Sequence, residues 1–366
     1  MKVLLQPETH QMRLLFFALT LISTNAFAQQ SPPSDSLVRP GEKHFKNLRQ
    51  LTFGGDNAEA YFSFAGDKLV FQYANHKDVP CDQIYYSDIP KTTAQPFQYN
   101  RISNGKGRTT CSYFLPGDSL VLYASTHAAA DSCPTPPGRS KIKKYVWGVF
   151  PDFEIYVSDL NGNIKTQLTK NKFYDAEATV SPKGDKILFT SDRDGDLDLY
   201  TMNIDGSSVK RITTKLGYDG GAFFSHDGSQ IVWRASRPKT DSAIAEYKDL
   251  LSKGLVAPTN MHLFVANADG SNQRQVTNLP NASWAPFFHP SGKKIIFASN
   301  HEHKRGYPFN LYLINTDGTG LERITSSDMF DAFPMFSPDG KYLVFSSNRN
   351  NGGTRDTNIF IAEWAE

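Results

Sequence analysis

The sequence predicts an all-β fold: a six-bladed β-propeller of four-stranded antiparallel blades, with an N-terminal strand completing the last blade. Three observations carry this. First, one hairpin recurs six times. It reads N-A-E-A-Y-F-S-F-A-G-D-K-L-V-F at 57–71, T-T-C-S-Y-F-L-P-G-D-S-L-V-L at 109–122 and D-A-E-A-T-V-S-P-K-G-D-K-I-L-F at 175–189. It returns as D-G-G-A-F-F-S-H-D-G-S-Q-I-V-W at 219–233, S-W-A-P-F-F-H-P-S-G-K-K-I-I-F at 283–297 and D-A-F-P-M-F-S-P-D-G-K-Y-L-V-F at 331–345. Self-similarity of this kind marks a repeat architecture. Second, each hairpin is followed by a third strand, such as I-Y-V-S-D at 155–159 or L-Y-L-I-N at 311–315, and then by a short strand closing on an apolar residue plus Thr or Ser. Four antiparallel strands per unit describe a propeller blade. Third, the chain begins with a lone short strand at 45–52 and ends just after the third strand of the sixth unit. The first strand is therefore expected to fill the last blade and remove its open edge.

The segments follow in order. Lys2 and Arg13, the apolar run Leu14–Ile22 and the small-x-small triplet Ala26-Phe27-Ala28 read as a signal peptide over 1–28, with Met12 as an alternative start. The apolar run is too short to serve as a membrane span. Residues 29–42 are Pro/Ser-rich and read as a linker. The propeller is expected over 43–366. Its turn glycines, Gly66, Gly117, Gly184, Gly228, Gly292 and Gly340, set the backbone at each hairpin. Asp205-Gly206, Asp269-Gly270 and Asp317-Gly318 are turns between strands.

Composition narrows the function classes. The chain holds 26 Phe and 16 Tyr, which suits strands. It holds 39 Lys+Arg against 37 Asp+Glu, so no basic groove for nucleic acid and no polybasic membrane patch is expected. Cys81, Cys111 and Cys133 lie in an exported chain, where one disulfide and one leftover thiol are expected. Loop position favours Cys81 with Cys133, and Cys81 with Cys111 is the alternative.

The pattern Asp-x-x-Pro…Ser-Pro-Asp-Gly-Lys…Phe-x-Ser…Ile-Tyr…Asp-Gly…Leu-Thr resembles the TolB-type (WD-like) propeller repeat over about 320 of the 366 residues. The resemblance implies the fold. For function it implies only a range: binding modules, Tol–Pal envelope components, gates of peptidases and lyases. The Tol–Pal member carries an α/β domain ahead of its propeller, and peptidase relatives carry a hydrolase domain. The expectation here is a propeller without either.

Candidate sites follow from where loops are long. The distance from turn glycine to third-strand aromatic is 16 residues from Gly184 to Tyr200, but 39 from Gly117 to Tyr156 and 36 from Gly228 to Phe264. Both inserts are expected on one face, and 242–254 has helical apolar spacing at Ile244, Tyr247, Leu250 and Leu251. Long loops gathered on a rigid scaffold are where binding usually lives. On that face the inner strands open with Asn57, Arg108, Asp175, Asp219, Ser283 and Asp331, and two residues on come Glu59, Thr110, Glu177, Gly221, Ala285 and Phe333. The second strands end near His76, His127, Arg193, Arg237, His301 and Arg349. These residues compose a candidate polar-ligand ring at the tunnel mouth. The alternative is that each opening Asp only caps its own turn.

Asp192, Asp194, Asp196 and Asp198 alternate as in a cation loop, though they also match the repeat's own turn. His301 and His303 are a second metal candidate. A divalent cation is the one cofactor these residues suggest. Gly117-Asp118-Ser119-Leu120 spells a hydrolase signature but occupies the common hairpin turn. The leading expectation is a periplasmic or secreted binding or scaffold module for a protein, a polar small molecule or an oligosaccharide. The rivals are a tunnel-mouth lyase or hydrolase, and an accessory propeller to a separately encoded peptidase or transporter.

Overall fold

The repeats close into a ring of six four-stranded blades in the computed structural model, which describes residues 34–366 apart from 76, 93–94, 136–141, 305, 327 and 329. The signal-peptide reading of 1–28 lies outside the described residues. A short helix, α1 (Ser34–Leu37), and strand β1 (Phe45–Gln50) come first. Blade 1 is β2 (Asp56–Phe62), β3 (Lys68–Asn75), β4 (Val79–Asp88) and β5 (Asn100–Arg101). Blade 2 runs β6 (Thr109–Phe114), β7 (Leu120–Ser125), an inserted β8 (Trp147–Gly148), β9 (Glu154–Asp159) and β10 (Ile164–Gln167). Blade 3 is β11 (Asp175–Val180), β12 (Lys186–Ser191), β13 (Asp198–Asn203) and β14 (Lys210–Arg211). Blade 4 has β15 (Asp219–Phe224) and β16 (Gln230–Ala235), then helix α2 (Asp241–Ser252) and β17 (Leu255–Val256), then β18 (His262–Asn267) and β19 (Arg274–Gln275). Blade 5 is β20 (Ser283–Phe288), β21 (Lys294–Ser299), β22 (Asn310–Asn315) and β23 (Glu322–Arg323). Blade 6 is β24 (Asp331–Phe336), β25 (Tyr342–Ser347) and β26 (Asn358–Trp364), with β1 as its outer strand.

The inner strands β2, β6, β11, β15, β20 and β24 touch in turn around the axis, and β24 returns to β2. β1 pairs antiparallel with β26, so the first strand closes the ring. The apolar-Thr/Ser signature has a physical job in every blade. The hydroxyl of Thr52, Ser103, Thr169, Thr213, Thr277 or Thr325 accepts a backbone N–H of a third strand, at 2.8–2.9 Å. Phe71, Tyr123, Phe189, Trp233, Phe297 and Phe345, one per second strand, are fully buried in the packing. Each such ring contributes about 1.5–3 kcal/mol by leaving water.

Residues 34–42 differ from a free linker. Leu37 is buried, and the buried Glu42 carboxylate meets Arg349 at 3.0 Å, which in turn meets Asp331 at 3.0 Å. Pro/Ser-rich composition gives no hint of this one carboxylate.

Candidate functional site

Every inner hairpin carries a one-residue β-bulge at the same place. The residue two places into the strand takes a left-handed backbone in all six blades. Glu59, Cys111, Glu177, Gly221, Ala285 and Phe333 have φ between 46° and 57°. For residues other than glycine this conformation costs about 1–2 kcal/mol. A bulge of this kind re-aims a side chain, here on the strands that surround the axis.

Blade 2 corrects the sequence reading by one residue. The columns hold Thr109 and Cys111, not Arg108 and Thr110, because β6 opens at Thr109 opposite Ser125. Arg108 sits just before the strand and faces Asp82 at 3.7 Å. Without an Asp to anchor it, T-T-C leaves the register open.

The opening column does not form a ring of free carboxylates. Asn57, Thr109, Asp175, Asp219, Ser283 and Asp331 are all fully buried. Each Asp pairs with the Arg eighteen residues later: Asp175 with Arg193 at 2.8 Å, Asp219 with Arg237 at 2.6 Å and Asp331 with Arg349 at 3.0 Å. Each Arg also lies over an aromatic ring of its own blade: Phe189 and Tyr200, Phe264, or Phe345 and Phe360. Where the strand opens with Thr or Ser, that partner position holds His127 or His301, each packed on Tyr156 or Tyr312. In blade 1, Asn57 donates to the carbonyls of Gly54 and Thr357. The predicted His76 lies outside the described residues. The Asp–Arg pairs are staples inside single blades, and their charges are spent there.

The bulge column is where polar groups meet. Glu177 accepts from Thr190 Oγ1 at 2.8 Å, Tyr218 Oη at 2.7 Å and the Gly221 amide at 2.9 Å, and it ion-pairs with Arg234. Arg234 rises from β16 through the place where Gly221 has no side chain. A Cβ there would lie 1.6 Å from its Nη1. The Trp147 and Tyr218 rings flank the guanidinium at 5.1 and 5.3 Å.

Glu59 takes a hydrogen bond from the Cys111 thiol. Its Oε2 is shielded from solvent and has no partner. Burial pushes its carboxyl up to about 7. The negative charge of Glu177 adds to this, while the thiol bond and Arg234 oppose it. Burial and the neighbouring carboxylates push the Cys111 thiol well up, so it stays protonated near neutral pH.

The two inserts form one cap over this cluster. β8 pairs with β17, Val256 opposite Trp147 and Leu255 opposite Gly148. Helix α2 starts on the Thr240 cap, whose hydroxyl accepts from the Ala243 amide. It buries Tyr247 and Leu250, and the Tyr247 hydroxyl donates to Asp196. Trp147 then reaches Trp284 of blade 5 at 5.2 Å. An aromatic arc continues from Trp284 to Phe309, Phe330 and Phe333, with Tyr145 and Tyr307 54% and 68% exposed beside it.

Below this cluster the axis is stoppered. Tyr61 of blade 1 meets Phe223 of the opposite blade 4 at 5.4 Å, with Tyr113 and Phe287 completing the layer. Beyond it, among the hairpin turns, lies an apolar cavity of about 310 Å³ lined by residues including Phe64, Phe224, Phe288 and Met335.

The metal candidates do not converge. Asp192 accepts from the Tyr174 amide, Asp194 from Tyr200 Oη, Asp196 from Tyr247 and the Leu197 and Gly217 amides, and Asp198 from Arg211 and Thr213. His301 contacts Ser299, while the His303 Nε2 is buried without a partner. Among the described residues, no three of His, Cys, Asp and Glu are placed to hold a metal ion. Cys81 and Cys133 are bridged, with Cα atoms 5.6 Å apart, and Cys111 is free. Asp118 of the hydrolase-like motif accepts from the Phe64 and Ala65 amides and so clamps blade 2 to blade 1.

Sequence reasoning missed Arg234, Tyr218 and Trp147 as site residues. A signal existed. The partners of Arg234 on the other second strands are Gln72, Ala124, Thr190, Ala298 and Ser346. A lone cation in that column, opposite the doubled Gly220-Gly221, marks a side chain that needs room.

Comparison places the chain among known proteins. The family model described as TolB beta propeller domain matches residues 150–260 and 256–359. A solved structure assigned as TolB from Agrobacterium tumefaciens is 19% identical, with a TM-score of 0.54, over 85% of this chain and 91% of that one. An oligogalacturonate lyase in complex with manganese is 16% identical, with a TM-score of 0.50, over 87% and 93%. An oligogalacturonate lyase from Vibrio parahaemolyticus is 13% identical, with a TM-score of 0.50, over 86% and 80%. At such identities the likeness is one of fold. No curated protein matches the chain.

Proposed function

We propose, for a chain that belongs to the TolB β-propeller domain family, that it is an exported binding module taking a polar ligand or a protein partner on its loop-rich face. One observation carries this reading. The inserts of blades 2 and 4 join through β8 and β17 and bring Trp147 against Arg234, directly over the polar cluster at the axis. A propeller that only needed to fold could close this mouth with short loops, as blade 3 does. Convergent polar groups in a shielded recess, edged by aromatic rings, suit ligand capture.

Export rests on the leader-like N-terminal sequence, and the Cys81–Cys133 bridge agrees with an oxidising compartment. Among the described residues no helix is long and apolar enough to cross a membrane. A second reading draws on Glu59: a carboxyl near 7 can exchange a proton at neutral pH, which suits a lyase or hydrolase. Turnover that vanishes in Glu59→Gln would favour it.

A thermal-shift screen of the mature chain against oligosaccharides and short peptides tests the binding reading. A stabilising ligand should lose about tenfold or more in affinity in Trp147→Ala, whose ring lies at the recess. It should be untouched by Phe64→Ser on the far face. The reverse pattern would move function to the apolar cavity.

A further inference from the structure

We infer that the capped mouth selects a ligand carrying a positively charged amine on an apolar body, with Glu59 seating the ammonium and the aromatic arc seating the body. This rests on the proposal that the loop-rich face binds.

The first argument is a count of charges. Among the described residues, Glu59 and Glu177 share their surroundings with a single buried cation, Arg234. Arg234 is committed: it ion-pairs with Glu177, donates to Tyr218 Oη at 2.7 Å and is flanked by two rings. Glu59 keeps only a thiol donor, and its Oε2 has none. Other charged or titratable groups acting on it are Asp82 from β4 and Tyr61 from its own strand, and Asp82 already faces Arg108. Among the described residues the site is one positive charge short. A buried carboxylate without a partner is costly, and an incoming ammonium supplies the partner.

The second argument is shape. The bulge column divides the mouth in two. Blades 1 to 3 present Glu59, Cys111 and Glu177, while blades 4 to 6 present Gly221, Ala285 and Phe333. Phe333 stands in the blade next to Glu59 and leads through Phe330 to the exposed Tyr307. A cation over aromatic faces is attracted by their quadrupoles, and an apolar body covers their exposed edges. A polyanionic sugar, by contrast, would set its carboxylates against Glu59 and Glu177, which like-charge repulsion disfavours.

Calorimetry with benzylamine and benzyl alcohol on the full mature chain tests this, since the two probes match in shape and differ in charge. At pH 7 benzylamine should bind roughly tenfold or more tighter, because a hydrogen bond to a charged group outweighs a neutral one. Its binding should release protons, read from buffers of different ionisation enthalpy, as the ammonium ionises Glu59. Glu59→Gln keeps the side-chain shape and should abolish both the preference and the proton release. Its thermal unfolding establishes that it folds.

Equal affinity for the two probes, binding of neither, or a preference that survives Glu59→Gln would each overturn the inference. If both probes bind equally and Trp147→Ala weakens both, the loop-rich face still binds and only the amine selectivity falls. If Trp147→Ala weakens neither, the choice of face falls with it.

Discussion

Glu59 is a residue that its own chain leaves incompletely paired: its Oε2 has no partner, and burial raises its carboxyl. Its carboxyl rises from 4.5 to about 7 on folding, so the folded state holds a proton that the unfolded state has released. Stability from this group is therefore full below pH 4.5 and falls as pH rises to 7. Glu59→Gln removes the penalty. Its advantage in chemical denaturation should be near zero below pH 4.5, grow through the window and level off above pH 7 at no more than about 3 kcal/mol. Gly221 makes the opposite case. Its φ is 57°, and an added Cβ would enter the Arg234 guanidinium. Gly221→Ala should cost roughly 2–4 kcal/mol and loosen Arg234 from Trp147, seen as a changed tryptophan emission. Glu59 and Glu177 were readable as axis residues because the repeat aligns them. Arg234 lies outside that column, on a different strand, and only the doubled glycine opposite it marks the room that lets it arrive.

At the scale of the element, each Asp-opened strand brings its own Arg. The pairing of Asp175, Asp219 and Asp331 with Arg193, Arg237 and Arg349 turns an apparent ligand ring into internal staples. Sequence columns show which residues align but not which way each points, and the bulge decides that. The staple in blade 6 extends to Glu42. Removing one member of a buried charge network leaves another uncompensated, so Glu42→Ala should cost about 3–5 kcal/mol. The α2 helix was legible from its apolar spacing. The β8–β17 pairing was not, since two residues on each side carry no periodicity. The Cys81–Cys133 bridge ties the insert of blade 2 to blade 1 across 52 residues. Cys133→Ser should lower unfolding stability by about 2–4 kcal/mol.

For the whole molecule, six repeats made the ring legible, and the stray strand at the front made its closure legible. That a layer of Tyr61, Tyr113, Phe223 and Phe287 stops the axis was not legible, because those contacts run across the ring between blades far apart in sequence. The stopper separates a capped polar cluster from an apolar cavity on the far face. The central claim is that the capped side is the one that binds. Amide hydrogen exchange, with and without the ligand giving the largest thermal shift in the oligosaccharide and peptide screen, tests it directly. The account predicts slowed exchange at Trp147–Val149, at Leu255–Val256 and at the strand starts around Glu59 and Cys111. Slowing confined to the hairpin turns at Ser63–Gly66, Ser181–Gly184 and Ser337–Gly340 would contradict it and place the ligand in the apolar cavity.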